Sequence, residues 1–222
     1  MDWVWMNLIP GLLPFHHIRI LMTFGSPQSA LKASKEALCE GAGWEPELAA
    51  TFLKRKEEAK PLLERELKAI EKQGITLVTY EDEAYPALLK SIYDPPMVLY
   101  VWGSLDLVQM EGLAVVGARK ATAYGRLIAE RLAGDAARHG LTVVSGMARG
   151  IDTASNQAAL SAKGDTVAVL GSGLMECYPP ENRKLMDRII KDGAVVSEFP
   201  LFTRPLAQNF PRRNRVISGL GR

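Results

Sequence analysis

The chain has 222 residues, 47% hydrophobic and 23% charged, with a formal net charge of +2. These values are typical of a globular chain with one large domain, or a large and a small one. They exclude general disorder, a collagen-like repeat and a coiled coil. Cys39 and Cys177 are too few for a disulfide framework, so we expect a reducing, cytoplasmic setting. No apolar run approaches the ~18 residues of a membrane span.

Residues 1–74 carry helical patterns and predict a small all-helical domain. Ser26 followed by Pro27 is a typical helix start, since serine caps a helix and proline fits its first position. A second helical pattern covers 62–70. We expect Pro61 to begin or kink that helix and Gly74 to end it.

From residue 75 onward, short β-branched or apolar runs replace the long helical patterns. The last four runs alternate with helical patterns at 123–139, 150–162 and 181–192. Runs that are apolar on both faces and alternate with helices predict a mostly parallel sheet between helix layers. We therefore predict a doubly wound α/β domain over 75–222. Its strands are expected at ITLVTY (75–80), MVLYVWG (97–103), LAVVG (113–117), TVVSG (142–146), VAVLG (167–171) and AVVSEF (194–199).

The small net charge hides an uneven distribution along the chain. Residues 1–74 have a net charge of 0, residues 75–111 of −5, and residues 112–222 of +7. No acidic residue follows Glu198, whereas five arginines do. The predicted α/β domain is therefore basic in its larger part, which suits a polyanionic partner.

Glycine-containing loops follow three consecutive predicted strands, at 117–119, 145–150 and 171–173. In parallel sheets the ligand crevice lies beyond the carboxyl ends of the strands. Glycine lets the backbone come close to a ligand, and N–H groups at a helix start favour anions. Because cations stand on or beside these loops, we predict an anion site there. The cations are Arg119, Lys120 and Arg149.

Several enzyme classes are disfavoured by the same loops. GSGLME at 171–176 places Glu176 where a dinucleotide fingerprint has its third glycine, and no P-loop sequence occurs. Ser145 follows a strand without the flanking residues of a nucleophile elbow. His16 and His17 are adjacent and therefore point different ways on a helix, and the cysteines lack metal spacing. We predict neither a cofactor nor a metal.

The segment FPRRNRVISGLGR places Phe210 beside arginines at the expected start of a helix. An aromatic ring among cations suits single-stranded nucleic acid, because the cations follow the phosphates and the ring stacks on a base. The other interpretation is that Phe210 packs in the core while the arginines pair with acids on neighbouring helices. The residue pattern alone leaves both open.

Five motifs occur in order: VVGARKATAYG, VVSGMARGIDTAS, VAVLGSGLMECYPPEN, VVSEFP and FPRRNRVISGL. Together they resemble the DNA-processing protein A family, also called DprA or Smf, over about residues 75–220. The front segment IPGLLPFHHIRILMTFGSPQSAL is similar to that family's small SAM-like or helix-hairpin domain.

The resemblance implies a Rossmann-like, single-stranded-DNA-binding protein of the bacterial cytoplasm that is not an enzyme and needs no cofactor. Its expected partners are single-stranded DNA, the RecA recombinase, single-strand-binding protein and a second copy of itself. Its expected role is to protect incoming single strands and to help load RecA in natural transformation.

The resemblance also assigns site residues by motif. Gly117, Arg119, Thr122 and Gly125 would form the first loop, Ser145, Gly146, Gly150 and Asp152 the second, and Gly171, Gly173 and Asn182 the third. The basic tail would add Phe210, Arg212, Asn214 and Arg215. Arg119, Arg213 and Arg215 are expected to contact phosphates, Phe210 a base, and Asp152 and Glu198 to position loops or arginines. Lys120 and Arg149 complete the predicted DNA-binding set.

The sequence departs from the family in three places. Asn156 stands where members usually have histidine, and GLL at 11–13 is a degenerate hairpin glycine motif, which puts DNA binding by the front domain in doubt. Members normally continue beyond ISGLGR, so we expect the sheet domain to be truncated and dimer and RecA contacts to be affected. The alternative function is a related hydrolase of nucleotide N-glycosidic bonds, for which only Glu176 and Glu198 stand near the strand ends.

Overall fold

The computed structural model describes residues 1–221, apart from the side chain of Pro14. These residues form two compact units. The helical unit comprises Met1–Gln73 with Pro96–Val98, and the sheet unit comprises Gly74–Pro95 and the residues from Leu99 onward. Arg222, one of the arginines that follow Glu198, lies outside the described residues.

Helices account for the secondary structure of residues 1–73. They are α1 (Asp2–Leu8), α2 (Pro14–Phe24), α3 (Pro27–Lys32), α4 (Lys35–Glu40) and α5 (Pro46–Gln73). Ser26 caps α3 as predicted, since its hydroxyl accepts a hydrogen bond from the backbone N–H of Ser29. Buried aromatic side chains form part of the core, with Trp44 and Phe52 in edge-to-face contact at 5.3 Å.

Of the two expectations for Pro61, that it begins the helix is wrong, because α5 starts at Pro46 and contains Pro61 in its interior. A kink at Pro61 stays a prediction. Proline removes one backbone hydrogen bond from a helix. Pro61 is exposed, so water can solvate the carbonyl group that loses its partner. The apolar face and the many helix-forming residues around it outweigh that single lost bond.

Six strands form one sheet among the described residues, in the order β1-β2-β6-β5-β4-β3. They are β1 (Thr76–Thr79), β2 (Val98–Gly103), β3 (Gly112–Ala114), β4 (Thr142–Ser145), β5 (Thr166–Val169) and β6 (Ala194–Ser197). Strands β3, β4, β5 and β6 pair in parallel, while β2 pairs antiparallel with β6. The predicted mostly parallel sheet is confirmed.

Helices cover both faces of this sheet. They are α6 (Ala87–Lys90), α7 (Asp106–Gln109), α8 (Ala123–Arg138), α9 (Ile151–Ser161), α10 (Arg183–Asp192) and α11 (Asn209–Leu220), with a 3-10 turn at Pro180–Asn182. On β4, Val143 packs with alanines of α8 and α9, while its neighbour Val144 packs with the apolar side of α11. Successive residues of a strand face opposite sides, so both faces are buried and the strand sequences are continuously apolar.

None of the helices described for residues 1–221 combines the length and the apolar character that a membrane crossing requires.

Candidate nucleic-acid interface

The segments that follow β3 and β4 meet the first turns of α11 around a cavity of about 230 Å³. We call it the first cavity. Parallel pairing places the loops after these strands at one edge of the sheet, which is why residues far apart in sequence meet there. Its lining includes Gly117, Arg119, Asp152, Phe210, Arg213 and Asn214.

An acidic side chain of the chain itself binds the backbone N–H groups of the glycine loops. Asp152, in the first turn of α9, is buried, and its carboxyl accepts hydrogen bonds from the N–H groups of Gly117, Gly146 and Ala148. Burial raises the pKa of Asp152, and the Arg213 guanidinium and these hydrogen bonds oppose the rise. We expected these N–H groups to hold a phosphate. They instead donate to the Asp152 carboxyl, which links the first two loops. This is the positioning role that the family resemblance implied for Asp152.

Arg213 lies beneath the first cavity with only 3% of its surface exposed. Its Nη1 donates to the carbonyl of Gly146 at 2.8 Å and to the carbonyl of Val169. Burial lowers the pKa of Arg213 to about 10, while the Asp152 carboxylate raises it. These contacts give Arg213 a structural role in place of the phosphate contact that we expected, because its donors are directed at the protein interior.

The Phe210 ring lies close to the Arg119 guanidinium and to the Tyr178 ring. The Arg119 guanidinium lies 4.9 Å from the ring centroid of Phe210, and the ring of Tyr178 lies 5.4 Å from it. Phe210 is half-buried and Arg119 is exposed. Gly171 lies against the ring, since a Cβ atom there would come within 2.7 Å of Phe210 Cδ1. The missing side chain at Gly171 therefore makes room for the Phe210 ring, and not for a ligand that approaches the backbone closely.

Two other arginines of the tail pair with acids, as the alternative interpretation of the tail anticipated. Arg215 Nη2 lies 2.6 Å from Glu198 Oε2 and Arg215 Nε lies 3.1 Å from Asp94 Oδ2. Arg212 also reaches Glu198, at 3.2 Å. Burial raises the pKa of Glu198, and Arg215 and Arg212 lower it. Arg215 is thus engaged in the interior and is not placed to meet a phosphate as we expected, whereas Arg212 keeps 32% of its side chain exposed.

The alternative hydrolase function needs a carboxylate that can act on a substrate. Of the two candidates, Glu198 is buried and paired with Arg212 and Arg215, and Glu176 is not among the residues that line the first cavity. This geometry therefore gives the hydrolase no support.

A second cavity, of about 290 Å³, shares Arg119 with the first. Its lining includes the remaining predicted cations, together with α8 and α9 residues and one carboxylate from the loop after β5. The predicted residues among them are Lys120, Arg149, Gly150 and Asn182. Asn182 is buried there and donates to the carbonyl of Met147 and the hydroxyl of Thr153, both at 2.8 Å.

Other predicted residues support the loops from outside the two cavities. The Thr122 hydroxyl caps α8 by accepting from the N–H of Gly125 at 3.0 Å. The buried Ser145 hydroxyl donates to the Val115 carbonyl at 2.6 Å, so it is not presented to a ligand. Gly146 and Gly173 are glycines because a Cβ atom would meet Arg213 and the Pro200 carbonyl, at 2.5 and 2.1 Å respectively.

Sequence reasoning missed Tyr178 and Arg126. Tyr178 follows the third glycine loop by only a few residues, which was a usable signal for a second ring at this edge. Arg126 lies in α8, and its side chain donates back to the Ala121 carbonyl at 2.8 Å. Nothing in the local sequence distinguishes it from the other exposed arginines of that helix.

Comparison with known proteins identifies relatives of this chain. The sequence model described as DNA recombination-mediator protein A matches residues 76–222. DNA processing protein DprA of Bacillus subtilis is 41% identical over 173 residues, which cover 78% of this chain and 58% of that protein. Protein Smf of Synechocystis is 34% identical over 224 residues, which cover 99% of this chain and 56% of that protein. The chain thus spans little more than half the length of these curated relatives.

Two solved structures are similar. The X-ray structure of DNA processing protein A from Streptococcus pneumoniae matches with a TM-score of 0.83 and 31% identity, covering all of this chain and 75% of that one. A structure of DNA processing protein A from Helicobacter pylori, which concerns that protein's single-stranded DNA binding mode, matches with a TM-score of 0.59 and 29% identity over 67% of each chain. By sequence and by structure, the chain belongs to the DNA recombination-mediator protein A family.

Proposed function

We propose that this chain binds single-stranded DNA at the first cavity, without sequence specificity. The observation that carries the proposal is the exposed Arg119 guanidinium, which lies over the Phe210 ring, 4.9 Å from its centroid, beside an open cavity. A guanidinium can neutralise a phosphate while the ring stacks on a base, and neither contact depends on which base is present.

Family membership supports the finer parts of the proposal. The Helicobacter relative is described as binding single-stranded DNA, and the family description names a recombination mediator. We therefore propose that the chain acts as a binding protein rather than an enzyme in the bacterial cytoplasm. In this role it protects incoming single strands, works with single-strand-binding protein and helps to load RecA during natural transformation, as a homodimer.

Binding of a thymine oligonucleotide measured across a salt series tests the proposal. Affinity should fall steeply as salt rises, because each neutralised phosphate releases counterions and contributes about 0.7 to the log–log slope. Arg119→Ala should weaken binding several-fold and reduce that slope by about 0.7, since one phosphate contact is lost. Fluorescence anisotropy of a labelled oligonucleotide gives both quantities.

Arg188→Ala is the matched control, because it removes an exposed arginine from α10 that lines neither cavity. It should leave the slope unchanged. Salt-independent binding, or a preference for duplex DNA, contradicts the proposal. Release of free base from nucleoside monophosphates would support the glycosidic hydrolase instead.

Gly171→Ala should weaken binding of single-stranded DNA by displacing the Phe210 ring. The new Cβ atom would stand 2.7 Å from Cδ1 of that ring, closer than side chains tolerate, so the ring has to move relative to Arg119 and Tyr178. We expect a loss of affinity smaller than that of Phe210→Ala, with the salt slope retained. Gly134→Ala, in α8, controls for a general glycine effect, because the atom nearest to its added Cβ is Arg138 Nη1 at 3.5 Å, an ordinary contact. Equal affinities for both variants would contradict the expectation.

A further inference from the structure

The second cavity contains more cations than the proposed binding of a base requires. Arg119, Lys120, Arg126 and Arg149 line it, against the carboxylates of Glu130 and Glu181. The formal charge of these lining residues is therefore positive. Arg119 also lines the first cavity. An anion bound at Arg119 therefore has a second cationic site directly beside it.

The fold holds these cations in place through the loop after β3. Thr122 caps α8, which fixes the end of this loop, and Arg126 on the next turn donates to the Ala121 carbonyl at 2.8 Å. The Arg126 side chain is thereby turned back over the loop that carries Arg119 and Lys120. Three cations from one loop and one helix turn thus line the same cavity.

A carboxylate currently engages the fourth cation. Arg149 Nε lies 2.6 Å from Glu181 Oε1, and Nη2 lies 3.2 Å from Oε2, so the pair is bidentate. Both side chains are 53% exposed. Because water competes for both groups, even a bidentate pair is weaker at this exposure than it would be in the protein interior. A phosphate that enters the cavity can therefore take the place of the Glu181 carboxylate.

The chemistry of the lining separates the two cavities. The first contains the Phe210 ring, whereas none of the described residues that line the second is aromatic. The Tyr178 ring lies 6.0 Å from the Arg149 guanidinium but is not part of this lining, so the second cavity itself offers cations and no aromatic surface. It fits the sugar–phosphate backbone of a strand, not its bases.

We propose that the second cavity is a phosphate subsite for the strand whose base occupies the first cavity. Its cations are Lys120, Arg126 and Arg149. The Glu181 carboxylate stays paired with Arg149 until a phosphate of the DNA displaces it. This inference rests on the proposed binding of single-stranded DNA. It also gives the path of the bound strand across the surface, which runs from α11 past Arg119 toward α8 and α9.

Affinities for thymine oligonucleotides of about 4 to 16 nucleotides test the subsite. Arg126→Ala should leave the shortest oligonucleotide unaffected, weaken binding of the longer ones about 5-fold at low salt, and lower their salt slope by about 0.7. Arg131→Ala is the control, because this arginine of the same helix is 79% exposed and lines neither cavity. Arg126→Lys keeps the charge and should restore most of the affinity, which separates a lost cation from a disturbed loop.

Glu181→Gln provides an independent test, in which the affinity for oligonucleotides should rise. Without the competing carboxylate, longer oligonucleotides should bind about 2- to 5-fold more tightly. If Arg126→Ala and Arg131→Ala have the same affinity at every oligonucleotide length, the proposed subsite is wrong. A loss of affinity in Arg119→Ala would still support the proposed function. If Glu181→Gln binds like the unaltered chain, Glu181 does not compete with DNA. If the unaltered chain binds no single strand, the subsite and the proposed function fall together.

Discussion

Arg213→Ala should lower the free energy of unfolding of the sheet unit by about 2–6 kcal/mol, because two buried carbonyls lose their donor and each unsatisfied buried group costs about 1–3 kcal/mol. Arg213 is 3% exposed, and its guanidinium donates to the Gly146 and Val169 carbonyls from beneath the first cavity. The variant would leave Asp152 without its cation and both carbonyls without their donor. Hydrogen exchange of the β4 and β5 amides reports this loss for the sheet unit alone.

Arg204→Ala is the control for charge, since Arg204 is exposed and the variant removes the same positive charge. It should change stability by no more than about 0.5 kcal/mol. Where Arg213→Ala does not fold, Arg213→Lys keeps the charge and should be destabilised less. Replacing Asp152 as well, by asparagine, should recover part of the loss, because the uncompensated charge is removed. An Arg213→Ala variant as stable as Arg204→Ala would contradict the structural role of Arg213.

Phe210→Ala should weaken binding of single-stranded DNA by about 1–3 kcal/mol, the usual contribution of one base stacked on an aromatic side chain. This corresponds to roughly a 5- to 150-fold rise in Kd. The salt slope should stay unchanged, because stacking releases no counterions. Arg119→Ala should instead change the slope. The two variants therefore separate the base contact from the phosphate contact in one anisotropy experiment.

Matched variants at Phe210 distinguish stacking from packing. Phe210→Trp keeps a flat ring and should keep most of the affinity, whereas Phe210→Leu keeps apolar bulk and should lose most of it. If Phe210 served only the core, Phe210→Ala would lower stability by about 3–5 kcal/mol and leave the affinity of the folded protein unchanged. Phe210 is half-buried, so we expect a smaller loss of stability than that.

The two interpretations of the tail that the sequence left open each describe part of it. Arg212 and Arg215 pair with Glu198, as a solvated or structural cluster would, and Arg213 is buried against Asp152. Phe210, by contrast, lines an open cavity with Arg119 above it. The basic tail therefore mainly anchors α11, and the cations available for the proposed DNA binding come chiefly from the loop after β3.

The apolar runs of the sheet unit predicted its strands within a few residues. Residues such as Val143 and Val144 are buried on opposite faces, so the sequence must be apolar at successive positions whatever the tertiary details. The local pattern also predicted the cap at Ser26, because a cap depends on a hydrogen bond over three residues. The ordered motifs likewise identified the family.

What only the tertiary structure decided is which charges remain available. Arg215 pairs with Asp94 across 121 positions of sequence, and Arg213 reaches the Gly146 carbonyl across 67. A net charge of +7 over residues 112–222 counts these arginines equally with Arg119, although only the exposed ones can meet a phosphate. The sequence by itself determined the strands, the cap at Ser26 and the composition of the loops. The fold determined that Asp152 accepts hydrogen bonds from the N–H groups of the loops and that the Arg119 guanidinium stays exposed. Contacts over such long separations in sequence arise only when the sheet brings distant segments together.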